Sequence, residues 1–386
     1  MFKRVFLIVM DGLGVGEAKD AKKYDCEGAN TLKHALEGEN YYLPLFEKLG
    51  LLSLVGEGSS PKCGYYGVLN PKNLARDTLN GHYEMMGNIF KKPFMTYPNG
   101  FPLVLISEIQ RVTGREVICN RPASGTEIIK ELGEEHMKSG ALIVYTSEDS
   151  VLQIAAHEDI IPVEELYDIC EKVSKLIFNE EYKIARVIAR PFVGTNANDF
   201  KRTAGRRDFV QEPPRNYMEL LYENGYDVIA LGKIKDIFAD KNITSGIKTT
   251  NNLDGLLKIT DVARTDFNGL CFLNLNDFDT VYGHRRDKVG YKNCIEELDH
   301  NLYPFFKLLK EDDLVIFTAD HGNDPTYKGT DHTREKVPFI LYSPGFKYRG
   351  KLPEGDSFAN IGATIIDNFG IKNDLKVGDS VLKYLK

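Results

Sequence analysis

The chain contains no tryptophan, and none of its six cysteines forms a Cys-x-x-Cys pair. That spacing is the usual mark of a zinc knuckle or a redox motif, so the sequence predicts neither, and the scattered cysteines suggest no disulfide framework. Several cysteines lie in apolar runs, as Cys271 does between Leu270 and Phe272, which is typical of small buried side chains. We therefore expect a reducing, cytoplasmic environment.

Long apolar runs are also missing. No segment approaches the roughly 20 apolar residues of a membrane-spanning helix. Near the N-terminus, Lys3 and Arg4 precede only the apolar run 5–10 before Asp11, which is too short for a signal peptide and favours a first β-strand. The sequence therefore predicts a soluble protein with no membrane partner.

Positive charge is in deficit. The 49 lysine and arginine residues face 56 acidic residues, which gives a net charge of −7. Proteins that bind nucleic acids usually carry a basic patch or arm, and no such arm or aromatic platform is visible. We expect no nucleic-acid partner, and no coiled-coil pattern or apolar stripe indicates an obligate protein partner.

Short apolar runs alternate with helical patterns along most of the 386 residues. This alternation is typical of an α/β fold with a largely parallel sheet, and the length favours two domains. The predicted strands are 4–10, 227–231, 270–275, 314–319 and 337–342, and the predicted helices include 43–49, 216–224 and 291–310.

The middle of the chain has a different character. Proline-rich stretches at 93–102 and 213–214 bound a segment that contains its own apolar strand, 141–146, and an acidic helix near 163–177. A segment whose two linkers lie on the same side of it is typical of an inserted domain, so we expect an α/β cap over the core. The predicted division is core 1–91, cap 92–213 and core 214–386.

Carboxylates and imidazoles follow three of the predicted strands. Because open α/β sheets bind ligands at the carboxyl ends of their strands, we expect these side chains to lie close together. Mixed aspartate and histidine ligation suits manganese or zinc better than magnesium alone, and a pair of such ions is a common device for phosphoryl transfer. The six candidate ligands are Asp11, Asp279, His284, Asp320, His321 and His332.

A hydroxyl side chain, Thr78, lies between Asp77 and Leu79 in a stretch that continues to His82. Taken alone, Thr78 could simply cap a helix. A threonine hydroxyl becomes a useful nucleophile when a dication lowers its pKa, so this motif carries weight only beside the metal ligands.

Several stretches together resemble phosphopentomutases, which belong to the alkaline phosphatase superfamily. The likeness runs from residue 4 to the C-terminal region. The core stretches alone specify the superfamily, and the stretches inside the predicted cap narrow the likeness to this family. They are VMDGLGVG at 9–16, DTLNGHYE at 77–84, PASGTEI at 122–128, YTSEDSVLQIAAHE at 145–158, RVIARPFVG at 186–194, DFDTVYGHRRD at 277–287, DHGNDP at 320–325 and GTDHTRE at 329–335.

The resemblance implies an alkaline phosphatase-like core with a mostly parallel sheet flanked by helices, plus the inserted cap. It also implies two divalent cations, with manganese favoured, and Thr78 nearby as the phosphorylated residue. One cation would be held by Asp279, His284 and His332, and the other by Asp11, Asp320 and His321.

The implied activity is the interconversion of ribose or deoxyribose 1-phosphate and 5-phosphate through a phosphothreonine and a 1,5-bisphosphate. This reaction serves nucleoside catabolism and salvage and links them to the pentose phosphate pathway. A sugar bisphosphate, such as glucose 1,6-bisphosphate or ribose 1,5-bisphosphate, would charge Thr78. The implied substrate-binding residues are Ser147, Asp149, Val151, Arg186, Arg202, Arg206 and Lys233.

Two positions depart from the family pattern. Tyr83 stands where the family usually has tryptophan, so an aromatic ring remains to pack beside Thr78. Gly12 stands where a small hydroxyl residue is common, which removes a side-chain contact to phosphate at that point.

Three other functions fit parts of the pattern. A phosphatase or phosphodiesterase on the same scaffold would use water as the acceptor, which the cap motifs disfavour. A cofactor-independent phosphoglycerate mutase would have a serine nucleophile and a longer chain. A catalytically inactive binding protein would not need all six ligands and Thr78.

Overall fold

The computed structural model describes residues 1–90, 94–147, 150–179 and 181–385. The chain divides into two compact units, a first unit of Met1–Lys92 with Pro213–Lys386 and a second unit of Pro93–Glu212. The role of the second unit as a cap stays a prediction. In the described ranges, no helix combines the length and apolar character needed to cross a membrane.

Within the described residues the chain forms fourteen strands. In chain order, β1 to β14 are Arg4–Met10, Tyr65–Leu69, Val117–Pro122, Leu142–Thr146, Val151–His157, Arg186–Val193, Lys201–Arg202, Arg207–Val210, Asp227–Leu231, Ser245–Ile247, Gly269–Leu275, Asp313–Thr318, Val337–Tyr342 and Gly350–Lys351.

The same residues form twelve α-helices and four other helical turns. In chain order, α1 to α12 are Thr31–Leu36, Pro44–Leu49, Thr78–Met85, Leu103–Thr113, Glu127–Ser139, Val163–Ile177, Tyr217–Glu223, Ile234–Ile237, Asn252–Ala263, Lys288–Asn301, Tyr303–Phe306 and Ala359–Asn368. The 3-10 turns are Ala21–Tyr24, Leu52–Val55 and Leu382–Tyr384, and Phe278–Gly283 is a π-helical turn.

The first unit is built on an eight-stranded sheet in the order β10-β9-β11-β1-β12-β13-β2-β14. The central strand β1 pairs in parallel with β11 and β12, and β13 pairs antiparallel with β12 and β2. All residues of β1, β11 and β12 are buried, as expected for parallel strands covered by helices on both faces. The predicted α/β class and mostly parallel sheet are confirmed.

One predicted element is wrong in detail. The helix expected over 291–310 is divided into α10 and α11, with Leu302 between them and Pro304 in the first turn of α11. Proline has no N–H to donate, and its ring clashes with the preceding turn, so it favours the start of a new helix over the continuation of an old one.

A buried ion pair joins β1 to β12. Arg4 Nη2 lies 2.6 Å from Asp313 Oδ2, and both side chains are almost completely buried. The guanidinium also donates from Nη1 to the carbonyls of Ala263 and Thr265, each at 2.8 Å. With its donors satisfied in this way, Arg4 fixes the amino ends of two of the strands whose carboxyl ends carry the candidate ligands.

The second unit has its own sheet, in which β3, β4, β5, β6 and β7 follow one another and β8 also pairs with β6. Helices α4 and α6 share one apolar core with residues of β4 and β5, and α5 shares another that includes Ile143, Tyr145 and Phe192. Because side chains alternate along a strand, Leu142 and Val144 face the first core while Ile143 and Tyr145 face the second. The sheet is therefore covered by helices on both faces.

Candidate metal centre

Three neighbouring parallel strands deliver the carboxylates of the site. Asp11 directly follows β1, Asp320 lies two residues after β12, and Asp279 lies on the π-helical turn after β11. Since β11, β1 and β12 run in the same direction, their carboxyl ends lie at one edge of the sheet. The topology thus brings together residues that are some 300 positions apart in the sequence.

The first ligand group consists of Asp279, His284 and His332. Each histidine Nε2 lies 3.2 Å from a different oxygen of Asp279, and the two Nε2 atoms lie 3.1 Å from each other. His284 Nδ1 lies 2.7 Å from the carbonyl of Thr330, so it carries the proton and leaves Nε2 with a free lone pair. A cation fits this arrangement, since it would be bound by both lone pairs and the carboxylate.

The second ligand group consists of Asp11, Asp279 and His321, whose ligand atoms lie within 4.8 Å of one another. His321 Nε2 lies 3.4 Å from Asp11 Oδ1 and 3.4 Å from Asp320 Oδ2. The geometry therefore gives Asp279 a place in both groups, whereas the sequence assigned it to one. The assignment of Asp320 to the second cation stays a prediction, supported by its closeness to His321.

Two buried carboxylate oxygens indicate whether a cation fits the site. Asp11 Oδ1 and Asp320 Oδ2 are buried and accept no hydrogen bond from the described residues. Buried carboxylate oxygens without a donor are costly, and positive charge is what would compensate them. The residues present therefore fit a divalent cation.

The charged side chains of the site shift one another's pKa values. Burial and the neighbouring charge of Asp320 raise the pKa of Asp11. Burial opposes ionisation of Asp279 too, but the contacts with the imidazoles of His284 and His332 lower its pKa below the usual range. Burial also disfavours the charged form of His321, yet the carboxylates around it raise its pKa to about 10. The carboxylates of the cluster therefore favour positive charge at His321, as they would favour it on a bound cation.

Thr78 is the first residue of α3, and Asp77 is the residue that caps the helix. Asp77 Oδ1 accepts a hydrogen bond from the backbone N–H of Asn80 at 3.0 Å. The hydroxyl of Thr78 is therefore not used as a cap, and its Oγ1 lies 3.3 Å from His321 Nε2. The helix start places this half-buried hydroxyl beside a candidate metal ligand.

Two residues that the sequence analysis did not assign connect these parts. His82 Nδ1 lies 2.8 Å from the carbonyl of Thr78 and 3.3 Å from Asp320 Oδ2. Asn274 Nδ2 donates to Asp11 Oδ2 at 3.0 Å and lies 3.4 Å from His82 Nε2. One hydrogen-bonded chain therefore joins Asp11, through Asn274 and His82, to the start of α3. Only the position of His82 one turn after Thr78 could have indicated this role.

A third unassigned residue, Asn323, supports Asp279. Asn323 Nδ2 donates to Asp279 Oδ1 at 2.7 Å, and Arg286 Nη1 donates to Asn323 Oδ1 at 2.5 Å. These contacts hold the carboxylate that both ligand groups share. Asn323 lies two residues after His321, so its place in the same motif was the available signal.

The two departures from the family pattern have structural reasons. Gly12 adopts φ +81°, and a Cβ there would lie 3.2 Å from Asn323 Cβ, so any side chain would be strained. Its backbone N–H donates to Asp320 Oδ1 at 3.0 Å. Tyr83 is buried against Phe90 and Phe238, and its hydroxyl donates to the carbonyl of Ile237 at 3.1 Å.

The predicted substrate-binding residues fall in both units. Asp149 lies outside the described residues. In the second unit, Ser147 directly follows β4, and Val151 pairs in register with Arg186 between β5 and β6. Arg202 is exposed on β7. Their role in binding substrate stays a prediction.

Arg206 and Arg186 share one carboxylate. Arg206 makes a two-pronged ion pair with Asp208, with both hydrogen bonds at 2.8 Å, and Arg186 Nη1 lies 3.9 Å from the same carboxylate. Asp208 thus neutralises part of the positive charge assigned to phosphate binding.

Lys233 belongs to the first unit, where it directly precedes α8. It lines a cavity of about 230 Å³ at the carboxyl ends of β9, β10 and β11, together with Lys248 and Asn274. Because Asn274 also binds Asp11, this cavity is adjacent to the second ligand group.

Comparison with known proteins places the chain among metal-dependent enzymes. The sequence model of the metalloenzyme superfamily matches residues 3–373. Among solved structures, phosphoglycerate mutase from Leishmania mexicana is similar with a TM-score of 0.51 and 14% identity, over 98% of this chain and 97% of that one. Murine ectonucleotide pyrophosphatase/phosphodiesterase 5 is similar with a TM-score of 0.51 and 11% identity, over the whole of both chains. At these identities the likeness concerns the fold.

Proposed function

Since the chain belongs to the metalloenzyme superfamily, we propose that it is a phosphopentomutase that interconverts ribose or deoxyribose 1-phosphate and 5-phosphate. The observation that carries this proposal is the contact between the Thr78 hydroxyl and His321, 3.3 Å apart, within a cluster of five aspartate and histidine side chains that Asp320 extends through His321. A hydroxyl in that position is suited to carry a phosphoryl group.

The reaction requires a carrier because the C1 and C5 oxygens of a pentose are too far apart for direct transfer. Phosphorylated Thr78 would donate its phosphoryl group to the free hydroxyl of the sugar phosphate, which gives a 1,5-bisphosphate. The P–O bond to Thr78 breaks, a new P–O bond forms on the sugar, and the hydroxyl proton passes to the Thr78 oxygen. After the sugar turns, the other phosphoryl group returns to Thr78.

The two cations would be held by the six candidate ligands. The mixture of aspartate and histidine suits manganese or zinc, and the family resemblance favours manganese. When bound, they supply charge that stabilises the phosphoryl oxygens and the leaving alkoxide. Asp77 and His82 hold the start of α3 in place, so the Thr78 oxygen is oriented before substrate arrives. A sugar bisphosphate would load Thr78 initially.

The start of α3 supports a phosphoryl group in another way. The first backbone N–H groups of a helix have no acceptor within the helix, and they favour negative charge there. Thr78 is the first residue of this eight-residue helix, so a phosphate on its hydroxyl would lie beside those groups. This favours a stable phosphothreonine, which a mutase needs more than a hydrolase does.

The proposal is tested by a coupled assay that converts ribose 1-phosphate to ribose 5-phosphate, with manganese and glucose 1,6-bisphosphate present. Thr78→Ala should reduce the rate to background, and Thr78→Ser, which keeps a hydroxyl, should retain part of it. Thr113→Ala, at the end of α4 in the second unit, is the matched control and should behave as wild type.

Two further readouts separate a mutase from a hydrolase. Intact-mass analysis of chain treated with glucose 1,6-bisphosphate should show one phosphoryl group, which peptide mapping places on Thr78. Release of inorganic phosphate from ribose 5-phosphate should stay far slower than isomerisation. Rapid phosphate release without isomerisation would instead identify a phosphatase.

A further inference from the structure

Arg286 donates hydrogen bonds to the loop that carries His332. It lies two residues after His284, in the turn that leads to α10, and its Nε donates to the carbonyl of Gly329 at 2.6 Å. Its Nη2 donates to the carbonyl of Asp331, the residue before His332, at 2.8 Å. Because the guanidinium is planar and its donors point in fixed directions, two such contacts set both the distance and the orientation of the loop.

The third nitrogen of this guanidinium reaches two other segments of the metal centre. Nη1 donates to the carbonyls of Gly283 and Asp324, at 3.2 and 2.9 Å. It also donates to Asn323 Oδ1 at 2.5 Å, and Asn323 Nδ2 in turn donates to Asp279 Oδ1 at 2.7 Å. Every acceptor of Arg286 is a carbonyl or carboxamide oxygen, so among the described residues its guanidinium forms no ion pair and serves to join loops.

The loop that Arg286 contacts has little packing of its own. The backbones of Gly322 and Thr333 form a bridge at its base, but residues 328–331 are exposed. A surface ion pair joins Asp331 Oδ2 to Arg76 Nη2 at 2.6 Å. Since exposed ion pairs contribute little to stability, the tip of the loop depends on hydrogen bonds from elsewhere.

One short turn supplies those hydrogen bonds. The carbonyl of Thr330 lies 2.7 Å from His284 Nδ1, so the carbonyls of residues 329–331 all accept from Arg286 or His284. This restraint holds the Nε2 atoms of His284 and His332 at 3.1 Å from each other. Two imidazole nitrogens at this distance move apart unless a proton or a cation lies between them, so the ligand atoms need to be held together before the cation arrives.

The backbone at Arg286 is strained. Its φ is +55°, in the left-handed region that favours glycine. Its N–H donates to the carbonyl of Gly283 at 3.1 Å, which closes the turn, and a glycine could make the same turn without strain. Strain that persists at such a position indicates a use for the side chain.

We propose that Arg286 is a positioning residue that preorganises the first ligand group by holding the loop of His332 against the turn of His284. It contacts none of the ligand atoms and acts through the backbone and Asn323. A loop that is already ordered does not have to lose conformational freedom when the cation binds, so the affinity for the cation is higher. The proposal rests on the cation proposed above and not on the identity of the substrate.

The test is calorimetric titration of the metal-free full chain with manganese. Arg286→Met should weaken the binding of one equivalent by about 10- to 100-fold, the usual cost of losing a residue that holds a metal ligand. The direction is informative, because removal of a positive charge near a cation site would by itself strengthen cation binding. Arg285→Met removes the same charge at the next position, where the exposed side chain contacts the carbonyl of Val281, and it should bind manganese no more weakly than wild type.

Hydrogen exchange of the metal-free chain gives a second readout. The backbone amides of residues 328–333 should exchange faster in Arg286→Met than in wild type, and added manganese should reduce the difference. Arg286→Lys keeps the charge but has no planar fork, so it should give intermediate results in both experiments. Arg286→Lys decides the matter if Arg286→Met does not fold.

Unchanged or tighter manganese binding in Arg286→Met would overturn the proposal, and so would a wild-type chain that binds no manganese. A variant that is less stable but binds manganese like wild type would assign Arg286 to the fold alone and reject its role at the metal centre. Weaker manganese binding in Arg286→Met, together with a wild-type chain that lacks mutase activity, would keep the role of Arg286 and reject the pentose mutase.

Discussion

The Nε2 atoms of His284 and His332 lie 3.1 Å apart, although 48 residues separate the two histidines. His284 carries its proton on Nδ1, so its Nε2 presents a lone pair to the other ring. Two imidazoles in this relation repel each other unless a proton or a metal ion lies between them. The contact therefore fits a bound cation, and it leads to the first prediction.

Binding of manganese should stabilise the native chain. A ligand that binds only the folded state at 100 times its Kd stabilises it by about 2.7 kcal/mol, so chelation should lower the melting temperature. His332→Ala should reduce this response, and His300→Ala, an exposed histidine on α10, should leave it intact. Equal responses to chelator in both variants would contradict the assignment of the first ligand group.

Asp279 should be required for both cations. Its two oxygens contact His284 and His332, and its carboxylate also belongs to the second ligand group. Asp279→Asn is expected to lower the manganese content by more than Asp320→Asn, which elemental analysis of the purified chains measures directly. Asp266→Asn, an exposed carboxylate paired with Lys3, is the control. Retention of one full equivalent by Asp279→Asn would show that it serves a single ion.

His82 should affect activity indirectly, by orienting Thr78 and Asp320, which it contacts. Substitution of residues that hold metal ligands typically costs about 10- to 100-fold in metal affinity or activity. His82→Gln should therefore lower mutase activity within that range while the chain stays folded by circular dichroism. His300→Gln should have no effect. An active His82→Gln chain would show that Asp320 and Thr78 are positioned without this ring.

Gly12 should be needed for its backbone conformation and its packing. Alanine at Gly12 meets both a left-handed φ and the Cβ of Asn323, whereas Gly38 has a similar φ of +74° and no atom within 4 Å. Both substitutions should destabilise by about 1 kcal/mol from backbone strain. Only Gly12→Ala should also reduce metal binding, because a shift of the strained backbone would move the N–H that holds Asp320. Equal metal affinity in the two variants would contradict this.

The Arg4–Asp313 pair should matter more for stability than the neighbouring surface pair. Removal of one partner from a buried pair costs about 3–5 kcal/mol, so Arg4→Met should show a large loss in urea unfolding. Lys3→Met breaks an exposed pair with Asp266, which is worth about 0–1 kcal/mol. Similar losses in the two variants would mean that the buried charge is compensated by other contacts.

Much of the fold could be predicted because its strands are continuous apolar runs. β1, β9 and β13 begin and end where the periodicity placed them. The helix over 291–310 was predicted as one piece because the apolar spacing continues past Pro304, where the backbone does not. The apolar pattern identified the strands and helices, and the backbone constraint of Pro304 divided one predicted helix into two.

The sequence could predict which residue types form the site and which strands they follow. The apolar pattern placed aspartates after β1, β11 and β12, but it could not show that Asp279 belongs to both ligand groups. Nor could it show that Asp77 caps α3 and leaves Thr78 free, or that His82 and Asn274 link Asp11 to that helix. These facts depend on the direction of side chains, which the sequence does not specify.

By itself, the sequence determined the α/β class, the strands that end in carboxylates, and a family resemblance that suggests the reaction. Only the tertiary structure decided which carboxylate belongs to both ligand groups, which hydroxyl does not cap its helix, and which arginines share a carboxylate. The physical reason is range: periodicity and capping act over a few residues, whereas burial and charge compensation depend on atoms that folding brings together from distant parts of the chain.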